Sequence, residues 1–127
     1  MGYESRFYIV DKTDWLQDEE KYYYAEKVAM FDLCKVNNLY NKIKNYPKTN
    51  VYIFSDDGET EIKEDLYGEK LIEIPVPDMI KFLRQIIKEE PFYRRYNPFL
   101  QMLKGFNLSE WSNLVVLHYG HWSLRSR

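Results

Sequence analysis

Two segments near the start of the chain alternate in the manner of β-strands. In residues 5–11, Phe7 and Ile9 alternate with Tyr8 and Val10, so both faces of the predicted strand are partly apolar. A longer strand is predicted over residues 22–33, although its alanines are also compatible with a helix. Strict alternation places Tyr22, Tyr24, Glu26, Val28, Met30 and Asp32 on one face and Tyr23, Ala25, Lys27, Ala29, Phe31 and Leu33 on the other. We expect the two strands to pair as a hairpin across the polar residues 11–20, which include Trp15.

Three later segments carry the helical period of three to four residues. Residues 36–46 place Val36, Leu39, Tyr40, Ile43 and Tyr46 on one side, and Pro47 ends this helix. Asp78 is predicted to cap a second helix that ends before Pro91, with an apolar stripe of Met79, Ile80, Leu83, Ile86 and Ile87. A third helix is predicted to begin at Asn97 and Pro98 and to end near Gly105. Ser109 is predicted to cap one more turn around Trp111.

The remaining strands are short and bounded by turn residues. Residues 50–54 and 60–64 are predicted to pair around the turn Asp56-Asp57-Gly58, and residues 70–74 follow a second turn at residues 67–69. Residues 114–119 are a nearly unbroken apolar run, which indicates a strand buried on both faces. The predicted fold class is α+β, with residues 1–127 as a single domain. A mainly antiparallel sheet is packed by one mid-chain helix and a C-terminal helical pair.

Composition narrows the class of protein. Cys34 is the single cysteine, so no intrachain disulfide is possible, and no apolar run approaches the roughly 20 residues that span a bilayer. These features predict a cytoplasmic protein without a membrane partner. Aromatic residues make up 17% of the chain, and its twelve tyrosines suit both a core and a contact surface.

Charge is unevenly distributed, although the net charge is only −2. Residues 55–73 hold eight acidic and two basic residues, whereas residues 88–127 hold six basic and three acidic ones. An acidic hairpin of this kind could imitate nucleic-acid phosphates and compete for a basic groove, or it could simply solvate an exposed hairpin. The candidate partner-binding residues here are Asp56, Asp57, Glu59, Glu61, Glu64 and Asp65, with Tyr67 beside them.

A second candidate surface lies between Pro91 and Pro98. Its tyrosines and paired arginines are Tyr93, Arg94, Arg95 and Tyr96. Tyr and Arg are enriched at protein interfaces and can also stack on nucleic-acid bases, which is the less favoured interpretation for a slightly acidic chain. The third interpretation is a helix–helix connection whose aromatic rings pack inward and whose arginines pair with Glu89 and Glu90.

Catalytic signals are weak. Cys34 lies in an apolar stretch and is interpreted as a small core residue. His118 and His121 are three residues apart, which in a strand directs them to opposite faces and disfavours a shared metal. No glycine-rich phosphate loop is present. The sequence therefore predicts a protein that is not an enzyme, with no cofactor, metal or catalytic residue.

Several segments resemble small uncharacterised proteins of bacteriophages that infect Gram-positive bacteria. They are the opening ten residues, residues 31–36, the turn at residues 56–58 with residues 64–68 behind it, and the closing Leu117-His118-Tyr119-Gly120. Phage proteins of this kind often act on host machinery, including as anti-CRISPR or other anti-defence inhibitors. The resemblance therefore implies a host protein as partner and carries over no functional residue.

The leading functional hypothesis is a non-enzymatic, phage-encoded inhibitor of a host defence nuclease that acts in the host cytoplasm. In this hypothesis the acidic hairpin occupies a basic nucleic-acid-binding groove. The first alternative is a small enzyme or a protein that sequesters a nucleotide ligand. Its pocket would lie between sheet and helices and be lined by tyrosines, Arg94, Arg95 and His118. The second alternative is a virion-associated structural protein.

Overall fold

The structure, a computed structural model, describes residues 2–13, 23–34, 37–54, 61–62 and 64–123. Within these residues the chain forms seven strands and three helices. They are β1 (Gly2–Thr13), β2 (Tyr23–Cys34), α1 (Asn37–Ile43), β3 (Lys48–Thr49), β4 (Val51–Phe54), β5 (Glu61–Ile62), β6 (Leu71–Pro75), α2 (Val76–Glu89), α3 (Tyr96–Lys104) and β7 (Leu114–Ser123). No helix in the described ranges has both the length and the apolar composition needed to cross a membrane.

The strands form one sheet in the order β3-β6-β7-β1-β2-β4-β5. The predicted pairing of the first two strands is confirmed, since β1 and β2 run antiparallel from Glu4 opposite Cys34 to Thr13 opposite Tyr24. The described strand pairs are antiparallel except for β2 and β4, which are parallel. Parallel neighbours need a crossover connection, and here α1 lies within that connection. The α+β class with a mostly antiparallel sheet is thus confirmed.

A β-bulge changes which residues of β2 share a face. Ile9 is opposite Ala29, but the next residue, Val10, is opposite Lys27, so Val28 is the extra residue. The predicted strict alternation is therefore wrong beyond this point. Tyr23 and Ala25 belong to one apolar cluster, whereas Leu33 belongs to the other, with Ala29 and Phe31 packed against it.

The sheet curls until its two sides are joined through residues 47–54. Within this stretch β3 pairs with β6 and β4 pairs with β2, and Asn50 alone separates the two strands. The amide of Glu73 in β6 donates to the carbonyl of Pro47 at 2.9 Å, and the amide of Tyr23 in β2 donates to that of Asn50 at 3.1 Å. In a flat sheet β6 and β2 would be three strand spacings apart, about 14 Å. Instead, the Tyr23 hydroxyl donates to Glu73 Oε1 at 2.6 Å.

Each face of the curled sheet carries its own apolar cluster. The inner face contributes Tyr8, Val10, Tyr23, Ala25, Val51, Ile53, Leu71 and Leu117. The outer face, with Phe7, Ile9, Leu33 and Val116, forms a larger cluster with side chains of all three helices. Since Val116 and Leu117 belong to different clusters, the predicted burial of the last strand on both faces is confirmed.

Ion pairs lie at both ends of the inner cluster. At one end, Lys12 Nζ is 3.3 Å from Glu73 Oε2 and 4.4 Å from the centre of the Tyr23 ring. At the other end, Arg6 Nε lies 2.7 Å from Asp32 Oδ1. These pairs are partly exposed, so each contributes little to stability, but they keep charged groups at the rims and apolar ones between them.

The observed ends of the helices differ from the predicted ones at three places. The first predicted helix is shorter, because residues 44–46 form a turn in which the Tyr46 amide donates to Ile43. The second helix begins at Val76 without a side-chain cap, so the predicted cap at Asp78 is wrong. The Asp78 carboxylate instead accepts a 2.8 Å hydrogen bond from the Tyr46 hydroxyl. In the turn before Trp111, the side chain of Asn107, and not that of Ser109, is the cap. Asn107 Oδ1 accepts a hydrogen bond from the Ser109 amide.

The phenol of Tyr23 makes the stability of the curled sheet pH-dependent. Burial, and then the hydrogen bond to Glu73, raise the pKa of Tyr23 well above its usual value. Since the unfolded chain loses this proton near pH 10 and the folded chain does not, the stabilisation is complete below pH 10 and declines as the pH rises further. We expect the unfolding free energy, measured by urea denaturation from pH 7 to 11.5, to fall above pH 10.

Tyr23→Phe tests this expectation. The variant removes the hydrogen bond, so it should be about 1–3 kcal/mol less stable at pH 7 and should show a shallower alkaline decline. Tyr24→Phe, on the neighbouring position of β2, is the matched control and should retain the steeper decline. Equal slopes in the two variants would contradict the assignment.

Candidate functional site

The loop of residues 64–70 is a tight turn built around Asp65. Asp65 Oδ1 accepts hydrogen bonds from the amides of Tyr67 at 2.9 Å and Glu69 at 3.0 Å. Gly68 adopts a left-handed conformation with φ of 77°, which glycine permits without strain. The predicted turn at residues 67–69 is therefore confirmed. The amide of Leu66 donates to the carbonyl of Gly120 at 3.2 Å and ties this loop to β7.

The predicted acidic residues divide into three groups. Asp56, Asp57 and Glu59 lie outside the described residues, and for Glu61 the backbone alone is described, in β5. The strands that flank the hairpin do pair, with Phe54 opposite Glu61. Glu64 is exposed, whereas the Asp65 carboxylate accepts two backbone amides within its own turn. A contact role for these residues stays a prediction.

The connector between α2 and α3, residues 90–95, is attached to the end of β2. The Tyr93 hydroxyl accepts a 2.7 Å hydrogen bond from the Cys34 amide. Arg95 Nε donates to the Asp32 carbonyl at 2.9 Å, and its guanidinium lies 5.0 Å from the centre of the Phe31 ring. Burial is the main cause that raises the pKa of Tyr93, so its phenol stays protonated at neutral pH.

Tyr96 is a core residue and not a surface anchor. Its side chain is 1% exposed and lies in the outer cluster. Its hydroxyl donates to Glu90 Oε2 at 2.9 Å, and its ring meets the Tyr93 ring edge-on at 4.6 Å. Of the four residues predicted here, Arg94 and Arg95 are exposed, Tyr93 is half-buried and Tyr96 is buried.

Phe92 is an exposed side chain that was not among the predicted contact residues. It is 93% exposed, the most exposed large apolar side chain among the described residues. Leu66 and Tyr67, in the loop of residues 64–70, are 59% and 38% exposed. No local pattern marks the exposure of Phe92, because it depends on the attachment of the connector to the end of β2 through Tyr93 and Arg95.

The loop of residues 64–70 and the connector lie at the same end of the sheet. Leu66 is bonded to Gly120, which is opposite Ser5, and Ser5 is in turn opposite Leu33, the neighbour of Cys34. Gly120 and Leu33 are therefore two strand spacings apart, about 10 Å. The structure thus places two of the predicted binding segments near each other, although about 25 residues separate them in sequence.

His118 lies on the outer face at the same end. It is 3% exposed, and its Nε2 is 2.8 Å from the hydroxyl of Ser5, which is fully buried. The ring also meets Phe7 and Tyr40, each at 5.3 Å between ring centres. A Ser–His hydrogen bond is part of many nucleophilic sites, but the Ser5 oxygen has no access to solvent. Ser5 therefore fixes the orientation of the imidazole.

A cavity of about 220 Å³ opens beside His118. Tyr40, Tyr67 and His118 supply aromatic walls, and Ile72 supplies an apolar one. The cavity also has charged residues around it, namely Lys48, Asp65, Glu69 and Lys70. Burial, and then the charge of Asp65, raise the pKa of Tyr67, so its hydroxyl remains a hydrogen-bond donor at neutral pH. Arg94 and Arg95, predicted to line a pocket with His118, are not part of this wall.

Cys34 and the metal-ligand types offer no comparable site. The Cys34 thiol is half-buried and donates to Glu4 Oε1 at 3.2 Å. Across the residues that the structure describes, no group of three or more His, Cys, Asp or Glu side chains is arranged to hold a metal ion.

The hydrogen bond that attaches Tyr93 to the end of β2 should contribute measurably to the free energy of unfolding. Tyr93→Phe keeps the ring but leaves the Cys34 amide without its acceptor, which should lower the unfolding free energy by about 1 kcal/mol or more. Phe92→Ala, one residue away and exposed, should change it by less than about 0.5 kcal/mol. Urea denaturation of both variants measures the difference, and equal stabilities would show that the connector does not depend on this bond.

Comparison with known proteins gave no match to a protein-family model, to a curated protein or to a solved structure.

Proposed function

We propose that this chain is a non-enzymatic binding protein that occupies a surface of a partner protein. The observation that carries the proposal is the placement of exposed Leu66, Tyr67 and Phe92 at one end of the sheet. Large apolar side chains that stay exposed in a folded chain are typical of interaction sites, and aromatic residues dominate the energetics of such sites.

The rigidity of both segments supports this role. The loop of residues 64–70 is held by the Asp65 carboxylate and by Gly120, and the connector is held by Cys34 and Asp32. Segments that are ordered before binding lose less conformational entropy in a complex, so more of the contact energy appears as affinity. Phe92 is thus presented on a fixed backbone.

Charge supports a more specific form of the proposal. Residues 55–73 carry a net charge of −6, which is complementary to a basic groove. We propose that the partner is a nucleic-acid-handling nuclease of the host, inhibited by acidic side chains that enter its basic groove. The resemblance to phage proteins favours this partner class. Electrostatic complementarity would mainly raise the association rate and the selectivity, while Phe92 would supply affinity.

Phe92→Asp tests the anchor. The variant should fold normally and lose partner binding by at least about 30-fold, which corresponds to a hot-spot loss of about 2 kcal/mol. Leu108→Asp is the matched control. Leu108 is 38% exposed. It lies shortly before Asn113, whose carbonyl accepts a hydrogen bond from the Lys12 amide at the end of the sheet opposite Phe92.

The measurement uses a photo-crosslinking amino acid at position 92 and, separately, at position 108, in host lysate. A protein crosslinked from position 92 and not from position 108, which then binds the purified chain with the expected Phe92 dependence, supports the proposal. Equal crosslinking from both positions, or affinity unchanged by Phe92→Asp, contradicts it.

Charge reversal at Asp56, Asp57, Glu59 and Glu61 together tests the acidic hairpin. If these side chains enter a basic groove, reversal should abolish binding to the captured partner without unfolding the chain, and wild-type binding should weaken as salt rises. Binding retained by the reversed variant, with loss in Phe92→Asp, would assign the interface to the connector and exclude the groove mechanism.

A further inference from the structure

We propose that the cavity beside His118 binds a small, neutral, planar heteroaromatic molecule of the nucleobase or nucleoside class. The cavity shares Tyr67 with the exposed surface of the proposed partner site, but Phe92, Arg94 and Arg95 are not part of its lining. The proposal stands on the shape, the aromatic lining and the charge balance of the cavity.

Aromatic side chains reach the cavity from three different parts of the fold. Tyr40 comes from α1, Tyr67 from the loop of residues 64–70 and His118 from β7. The rings of Tyr40 and His118 are 5.3 Å apart between centres and inclined at 49°, so they form one continuous aromatic corner. A planar ring would gain stacking energy against such a corner, as a nucleobase does on aromatic side chains.

Strand pairing and the hydrogen bond to Ser5 hold His118 in place in the cavity wall. Lys48 is opposite Ile72, Ile72 is opposite His118, and His118 is opposite Phe7. Three of these residues, Lys48, Ile72 and His118, line the cavity, and they lie side by side on the outer face of adjacent strands. Ser5 then holds the imidazole from behind by its 2.8 Å hydrogen bond. Since His118 is only 3% exposed, it contributes a fixed edge to the cavity wall, and the more accessible rings are those of Tyr40 and Tyr67.

The charges around the cavity favour a neutral ligand over a phosphate. Two lysines and two carboxylates line it, so its formal charge is zero. Lys48 Nζ is 2.9 Å from Glu69 Oε2, and the Asp65 carboxylate holds two amides. These groups offer both donors and acceptors to the edge of a base, but no concentration of positive charge for a polyphosphate.

The size of the cavity also favours a small ligand without a polyphosphate. At about 220 Å³ it is below the roughly 300–1,000 Å³ of pockets that hold drug-sized ligands. A base or a nucleoside is therefore a better match than a dinucleotide or a nucleoside triphosphate. Tyr67 is partly exposed, which leaves the mouth of the cavity in contact with solvent.

The experiment titrates the purified full chain with adenosine, guanosine, cytidine and uridine, one at a time. Isothermal titration calorimetry gives the affinity, and the NMR signals of the His118 ring give the location. We expect saturable binding of at least one nucleoside, with the ring signals of His118 shifted at saturation. Inorganic phosphate and ribose are titrated separately as probes of the non-aromatic parts of a nucleotide.

Two variants locate the site. Tyr67→Ala removes a partly exposed wall and should weaken nucleoside binding by about tenfold or more, the effect expected from the loss of one stacked ring. Phe92→Ala, at the same end of the sheet but outside the cavity, should leave nucleoside affinity unchanged. Because Phe92 does not line the cavity, Phe92→Asp tests partner binding alone, and titration of the purified chain with nucleosides tests the cavity without any partner, so failure of one proposal is distinguishable from failure of the other.

Three results would overturn the proposal. They are the absence of saturable binding by all four nucleosides, affinity that is unaffected by Tyr67→Ala, and His118 shifts produced equally by phosphate alone. The last of these would assign the cavity to anions. Circular dichroism of the Tyr67→Ala variant confirms that a loss of affinity does not come from unfolding.

Discussion

The closure of the sheet through residues 47–54 is the constraint on which the rest of the fold depends. This stretch is hydrogen-bonded to β6 at Pro47 and to β2 at Asn50. Because both sides of the sheet are attached to one continuous segment, the sheet must curl and its inner face must fill with side chains. The outer face is then convex, and its apolar residues remain to be covered by the helices. Closure therefore explains why both faces of β1 and β7 are apolar.

Closure also determines where the candidate sites lie. The loop of residues 64–70 has to travel from β5 to β6, which are far apart in the strand order, and it does so across the end where Gly120 and Ser5 are paired. The connector between α2 and α3 reaches the same end because Tyr93 and Arg95 bond to the last residues of β2. One end of the sheet thus collects the cavity, the exposed side chains of Leu66, Tyr67 and Phe92, and the pair Arg94 and Arg95. The other end carries the Lys12–Glu73–Tyr23 contact.

Local patterns predicted the elements well and their assembly only in part. Alternation located β1, β2 and β6, and a nearly unbroken apolar run located β7. The parallel pairing of β4 with β2 was missed, although the predicted order strand–helix–strand was its signal. The bulge at Val28 could not be predicted, since two charged residues, Glu26 and Lys27, are followed by four apolar ones at 28–31 and this stretch shows no period, while the shift arises from pairing with β1. The exposure of Phe92 and the cavity beside His118 likewise depend on contacts between residues distant in sequence.

The central position of β1 and β7 has a consequence for how the chain folds. These two strands are neighbours in the middle of the sheet, and the Ser5–His118 hydrogen bond joins residues 113 positions apart. During synthesis, β1 and β2 can form their hairpin early, but β7, the partner on the other side of β1, is made after the other described strands. Contacts of such long sequence separation slow folding, because loop closure must precede the energy they provide. A ribosome-bound chain would therefore expose one edge of an apolar hairpin until β7 arrives, so its yield depends on protection of that edge.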